Sequence, residues 1–91
     1  MDGSNRLLSV HETEISENAR THYHRDHTET YYFLEGEGQL ELDGELYAVR
    51  PGMAVLIPPR VRHRAIVAPG QRMKILNIVM PPFDEADEWF D

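Results

Sequence analysis

The 91-residue sequence contains no cysteine, which excludes disulfide bridges as a source of stability. A chain of this length forms one domain and buries only roughly 60–65% of its unfolded surface, so a metal or a partner subunit is needed as support. Basic residues are scarce as well: nine Lys and Arg face sixteen Asp and Glu, and the net charge of −7 disfavours nucleic-acid binding. Long apolar runs are missing too, since no window approaches the roughly 18 residues of a membrane span. We therefore predict a soluble, cytoplasmic protein without a membrane partner.

The middle of the chain also lacks a sustained apolar period of 3.6 residues, which argues against long helices. Short apolar runs, separated by Gly, Pro and Asp-Gly turn signals, are present instead. They occupy residues 29–34, 39–42, 46–49, 53–57, 61–67 and 73–80. This spacing is typical of an all-β sandwich or barrel.

Local patterns refine the prediction of strands. Asp43-Gly44 lies between two alternating segments and predicts a type I′ hairpin, because both turn positions need a positive φ. The run 53–57 is apolar almost throughout, so we expect it to be covered on both faces. Residues 83–91 are strongly acidic and are expected to form a peripheral tail, with a metal-binding core over about 16–80 of the single domain 1–91.

Three histidines and a glutamate form the most informative pattern. His22 and His24 are two residues apart, which places both rings on one face of a strand. Glu29 begins the next strong strand, and a hairpin over residues 21–29 would bring it beside them. His63 can close the site from across the sheet. Three imidazoles and one carboxylate suit a single divalent transition metal, and an octahedral ion would keep two positions open.

The spacing of these residues resembles the two conserved motifs of the cupins. From His22 the chain reads His-x-His, four residues, Glu, six residues, Gly36. The second motif follows as Gly52, five residues, Pro58 and then His63. The short distance between the motifs is similar to that in small single-domain bacterial cupins of the mannose-6-phosphate isomerase-like type. The resemblance implies a conical double-stranded β-helix, or jelly-roll barrel.

The family's ligand positions carry over one by one to His22, His24, Glu29 and His63. Three turn positions depart from the motifs: Ser16, Arg60 and Val67 stand where the family has Gly, Gly and Asn. These departures concern the shape of loops and strand ends, whereas every ligand position is filled.

Further site residues follow from strand parity. Arg20 shares a strand face with the two paired histidines, and Tyr31 and Phe33 share a strand face with Glu29. Arg20, Tyr31 and Phe33 are therefore predicted to contact substrate. The alternative for Tyr31 and Phe33 is that they fill the barrel interior. His27 is an additional metal ligand, an exposed loop residue or a gate to the pocket.

The ligand set favours a metal-dependent enzyme that acts on a small oxygenated molecule, of dioxygenase, decarboxylase or isomerase type. The alternative is a non-catalytic module that binds a sugar or another small ligand. Mn, Fe, Co, Ni, Cu and Zn all accept such ligands, and manganese or iron is favoured. No second carboxylate or histidine is obviously placed as a general base. Uncovered sheet edges further predict a homodimer.

Overall fold

The structure is a computed structural model and describes residues 2–4 and 7–90. Within these ranges the regular structure is eight β-strands and one short 3₁₀ turn. The strands are β1 (Asp2–Ser4), β2 (Ser9–Ile15), β3 (Thr28–Glu35), β4 (Gly38–Leu42), β5 (Glu45–Val49), β6 (Ala54–Ile57), β7 (His63–Ile66) and β8 (Met73–Met80), and the turn is Glu85–Asp87. None of the described residues belongs to a helix long and apolar enough to cross a membrane.

The strands form two antiparallel sheets, as the all-β jelly-roll prediction requires. The larger sheet has the order β1-β2-β8-β3-β6 and the smaller one the order β5-β4-β7. Both sheets contribute side chains to one buried apolar cluster. Its members are Tyr31, Phe33, Leu40, Val49, Ile57, Ala65, Val67, Met73 and Ile75. The alternation of buried and exposed residues along β3 and β8 explains why one face of each strand carries this core.

The predicted hairpin is confirmed, because β4 and β5 pair from Leu42 and Glu45 outward. Asp43 and Gly44 both have positive φ angles, of 47° and 86°. The expectation that residues 53–57 are covered on both faces is wrong. β6 is the edge strand of the larger sheet, and Leu56 on its outer face is 59% exposed. An apolar sequence could not reveal this, since either face of an edge strand can be left without a partner.

The acidic C-terminal segment, predicted as a peripheral tail, lies at the surface, with every one of residues 83–90 except Asp87 exposed. It is nevertheless docked against the loop that contains the paired histidines. Tyr23 and Trp89 exchange two backbone hydrogen bonds, of 3.0 and 2.9 Å, and Asp87 is only 9% exposed. Asp91 lies outside the described residues. The acidic composition of this segment hid the buried role of one of its carboxylates.

Candidate metal centre

The four predicted ligands come from three separate parts of the chain and meet at one point. Glu29 lies near the start of β3, and His63 is the first residue of β7. His22 pairs with His63 through two backbone hydrogen bonds, of 3.1 and 2.8 Å, and His24 follows two residues later. One potential ligand atom from each residue lies within 4.8 Å of the other three. Sequence spacing alone would not bring β3 and β7 together, because they belong to different sheets.

The hairpin expected over residues 21–29 does not form. His22 and Tyr23 make isolated bridges to His63 and Trp89, whereas Glu29 pairs with β6 and β8. Two of the ligands, His22 and His63, are therefore backbone neighbours although they are far apart in sequence. The physical reason is that His22 pairs with β7 of the smaller sheet, whereas Glu29 belongs to β3 of the larger sheet.

The three histidine rings share one pattern of hydrogen bonding. The Nδ1 atoms of His22, His24 and His63 lie 3.1, 2.8 and 2.9 Å from the backbone oxygens of Arg20, Asp87 and Val61. A carbonyl oxygen can only accept a hydrogen bond, so each Nδ1 must carry the proton. In the neutral ring, Nε2 then keeps its lone pair. Backbone oxygens thus set the tautomer that a metal ligand requires.

Glu29 faces these rings with one oxygen and is held by the other. Its Oε2 accepts a 2.6 Å hydrogen bond from the Asn77 amide. Its Oε1 lies 2.6 Å from Nε2 of His24 and 3.3 Å from Nε2 of His63. Neither Glu29 Oε1 nor His63 Nε2 makes a hydrogen bond to the described residues. A buried carboxylate oxygen beside imidazole lone pairs is a repulsive arrangement unless a cation lies among them, so this donor set fits a metal ion.

The pKa values of three of these residues are shifted by burial and by their neighbours. Burial tends to raise the pKa of Glu29, but the adjacent His24 and His63 rings outweigh it and hold that pKa well below its usual range. Burial, reinforced by the nearby His63, lowers the pKa of His22. Burial also opposes the charged form of His24, yet contact with Glu29 raises its pKa overall. At neutral pH Glu29 is therefore ionised, and a proton on His24 can occupy the place of a cation.

A cavity of about 360 Å³ adjoins the cluster on the side of His22. Tyr31 lines this cavity together with Asn77, whereas Phe33 is fully buried in the apolar core and does not reach it. Arg20 also departs from its predicted place: it is exposed, and its guanidinium lies 4.5 Å from the Phe90 ring. Strand parity failed for Arg20 because no regular strand extends through residues 16–21.

His27 is neither an exposed loop residue nor a member of the four-residue cluster. It is 3% exposed, and its ring centroid lies 5.4 Å from that of His24. Its Nδ1 is 3.6 Å from an oxygen of Asp87. The ring is thus buried behind the four-residue cluster, next to the C-terminal segment.

Three residues near the site were missed in the sequence. Asn77 gave a usable signal, because it is the one polar residue on the inward face of β8. Glu88 places a carboxylate oxygen 3.9 Å from His22 Nε2, and Asp87 bonds to the loop after His24. Neither acidic residue could be distinguished from its solvated neighbours in the tail. Glu88 is thus a second carboxylate close to the cluster, although it does not line the adjoining cavity.

The fold and motifs agree with the family comparison, in which the cupin domain model matches residues 9–79. The chain belongs to the cupin family. An uncharacterized protein of Methanocaldococcus jannaschii is 33% identical to this cupin over 81 residues, covering 87% of the chain and 65% of the relative. L-ectoine synthase of Aliivibrio fischeri is 28% identical over 89 residues, covering 96% and 70%. The chain thus spans about two thirds of the length of these curated relatives.

Among solved structures, a protein from Planctomyces limnophilus superposes on this cupin with a TM-score of 0.82. The two are 39% identical, and the match covers 99% of this chain and 89% of the other. Nearly the whole jelly roll is therefore shared.

Proposed function

We propose that this cupin is a metal-dependent enzyme that acts on a small oxygenated molecule bound beside His22. The observation that carries the proposal is the convergence of His22, His24, Glu29 and His63, whose ligand atoms lie within 4.8 Å of one another. The adjoining cavity of about 360 Å³ is of a size suited to a small substrate. A divalent ion held by these ligands would polarise the oxygens of the bound molecule.

The residues around the cavity have separate tasks in this proposal. Burial, and then the charges of Glu29 and Glu88, raise the pKa of Tyr31 well above its usual value, so its hydroxyl stays protonated. Tyr31 is therefore available as a hydrogen-bond donor to a substrate oxygen. Asn77 orients Glu29 through the 2.6 Å hydrogen bond. Glu88 does not line the cavity; its carboxylate oxygen lies 3.9 Å from His22 Nε2, so its effect on the site is exerted through that ring.

A metal held in this way could support oxygenation, decarboxylation or isomerisation. The similarity to L-ectoine synthase supports an enzyme. Elemental analysis of protein purified without added metal separates the reaction classes. Iron or copper would favour oxygen chemistry, whereas zinc would favour isomerisation or binding.

Replacing two of the ligands tests the metal centre directly. His22→Ala combined with His63→Ala should abolish stoichiometric metal and turnover in a panel of small acids, sugars and polyphenols. His11→Ala is the matched control, because His11 bonds to Ser9 and does not belong to the cluster. Unchanged metal content in the double variant would contradict the assigned ligands. If the parent protein binds a ligand tightly but does not convert it, the proposal of an enzyme is wrong and the protein is a binding module.

We also propose that the cupin forms a homodimer through the outer face of the larger sheet. Tyr32 and Leu34 on β3, Leu56 on β6 and Met80 on β8 leave between 36% and 59% of their surfaces exposed there. Burying such a face against a second copy would remove apolar area from water. Light scattering of the purified protein should give twice the chain mass of 10.5 kDa, and Leu56→Glu should shift it toward the monomer.

A further inference from the structure

The C-terminal segment, residues 83–90, is fastened to the loop between the metal ligands His24 and Glu29. Tyr23 and Trp89 exchange backbone hydrogen bonds, and the Arg25 guanidinium lies 3.6 Å from the centre of the Trp89 ring. At the start of the segment, the Phe83 amide donates a 2.8 Å hydrogen bond to the hydroxyl of Ser9. The segment is therefore held at both of its ends.

Asp87 makes the central contact of this segment. Its Oδ1 accepts a 3.0 Å hydrogen bond from the Arg25 amide, and its Oδ2 accepts bonds of 2.9 and 3.1 Å from the amides of Asp26 and His27. The Trp89 indole donates a fourth bond to Oδ1, at 3.1 Å. Although burial opposes ionisation, these donors lower the pKa of Asp87 to about 2. One carboxylate thus fixes three successive amides of the loop between two ligands.

The same residue also fixes a ligand ring. The backbone oxygen of Asp87 accepts a 2.8 Å hydrogen bond from His24 Nδ1. For His22 and His63 the corresponding oxygen belongs to the residue two positions earlier, so their tautomers are set locally. His24 alone among the three depends on a partner 63 residues away. Its orientation therefore requires the C-terminal segment to be docked.

The cluster of His24, His27 and Asp87 can also be considered as a second metal site, since its potential ligand atoms lie within 4.8 Å of one another. The hydrogen bonds argue against this. The Asp87 carboxylate already accepts four N–H groups, which use its lone pairs, and His24 Nδ1 donates its proton to a carbonyl. The cluster is better explained as support for the first site.

We propose that Asp87 is a positioning residue of the metal centre and that docking of the C-terminal segment and metal binding stabilise each other. This inference rests on the metal site of the proposed function but not on turnover. By linkage, a segment that raises metal affinity must itself be stabilised by the metal to the same extent. Partners that orient metal-bound histidines typically change metal affinity by ten- to a hundredfold when they are removed.

The first test compares zinc affinities, measured by competition with a chromophoric chelator. Asp87→Ala should weaken Zn²⁺ binding about ten- to a hundredfold, and Asp87→Asn, which keeps one accepting oxygen, should lie between it and the parent. Asp84→Asn is the matched control, because Asp84 bonds only within the segment, to the Ala86 amide, and is exposed. Its affinity should stay within about twofold of the parent, well below the ten- to hundredfold loss expected when a positioning partner is removed.

A spectroscopic readout separates positioning from a general loss of stability. In ¹⁵N spectra of the zinc-loaded parent, His24 should show a protonated Nδ1 and a metal-bound Nε2. In Asp87→Ala this signature should be lost or mixed for His24 and retained for His22 and His63. If the folded variant keeps both its zinc affinity and the His24 signature, Asp87 has no positioning role.

A measurement on the unmodified protein completes the test, so that a variant that fails to fold does not decide the outcome. Saturating Zn²⁺ should slow hydrogen exchange of the Arg25, Asp26 and His27 amides about ten- to a hundredfold, the factor expected from reciprocity. Unchanged exchange in zinc-saturated protein would overturn the coupling. Failure of the parent to bind zinc would overturn both the metal site and this inference. If zinc slows the exchange of these amides but the protein turns over no substrate, only the proposal of an enzyme is wrong, and the coupling between zinc binding and the C-terminal segment stands.

Discussion

Replacing Arg60 by glycine should stabilise the protein, which is unusual for a change that removes a side chain. Arg60 has a φ of 73°, and its exposed side chain stands where the cupin motif has glycine. The left-handed conformation costs a residue with a Cβ about 1–2 kcal/mol. Glycine avoids this cost but loses about 0.5–1 kcal/mol more through the flexibility of the unfolded chain. The expected gain for Arg60→Gly is therefore about 0.5–1 kcal/mol, by the difference of these two effects.

Asp43 provides a matched control with the opposite expected sign. Its φ of 47° is also positive, but aspartate tolerates this region better, and its Oδ1 accepts a 2.9 Å hydrogen bond from the Arg62 amide. Asp43→Gly relieves little strain and removes that hydrogen bond, which is worth about 1 kcal/mol. The variant should be less stable than the parent by about 0.5–1 kcal/mol.

The assay is urea unfolding of metal-free protein, so that binding does not contribute to stability. In a thermal scan, 1 kcal/mol corresponds to a shift of roughly 4–8 °C for a domain of this size. Arg60→Gly should raise the midpoint and Asp43→Gly should lower it, with equal slopes in urea. If Arg60→Gly lowers the midpoint, or if both variants move in the same direction, the explanation by backbone strain is refuted.

Three further outcomes follow from the structure. Because the pKa of Asp87 is lowered to about 2, its contribution to the free energy of unfolding should be complete above pH 4 and be lost as the pH falls from about 4 to 2. When the stability of Asp87→Asn is measured over the same pH range, this loss should be absent. Gly36→Ala should destabilise far more than Gly52→Ala in urea, since both glycines have a positive φ but only a Cβ at Gly36 would clash with the backbone oxygen of Arg72. Equal effects of the two substitutions would contradict this close approach. Zinc affinity should fall as the pH drops, because a histidine must lose its proton to bind the metal. The fall should begin above the ordinary imidazole pKa of about 6.5, since the pKa of His24 is raised. A competition titration that is flat from pH 8 to 6 would show that no imidazole is a ligand.

The sequence determined those features that depend on neighbouring residues. The alternation and turn signals predicted the strands, and Asp43-Gly44 predicted its hairpin, because local backbone geometry restricts which residues adopt a positive φ. The motif spacing selected His22, His24, Glu29 and His63, which the fold brings together. Motif identity also marked Arg60 as a departure, and the structure supplies the physical meaning of that departure in its φ angle.

Only the tertiary structure decided which residues support the site and which face solvent. Periodicity gives the side of a strand but not what covers that side, so Leu56 proved to be exposed and Phe33 proved to belong to the core. Arg20 lies outside any regular strand, and parity could not place it. Asp87 was one of several acidic residues in a tail, and its burial arises from amide groups about 60 positions earlier in the chain. The sequence thus selected the four candidate ligands through their spacing, whereas hydrogen bonds between distant segments, such as those of Asn77 with Glu29 and of Asp87 with His24, determine how these side chains are held.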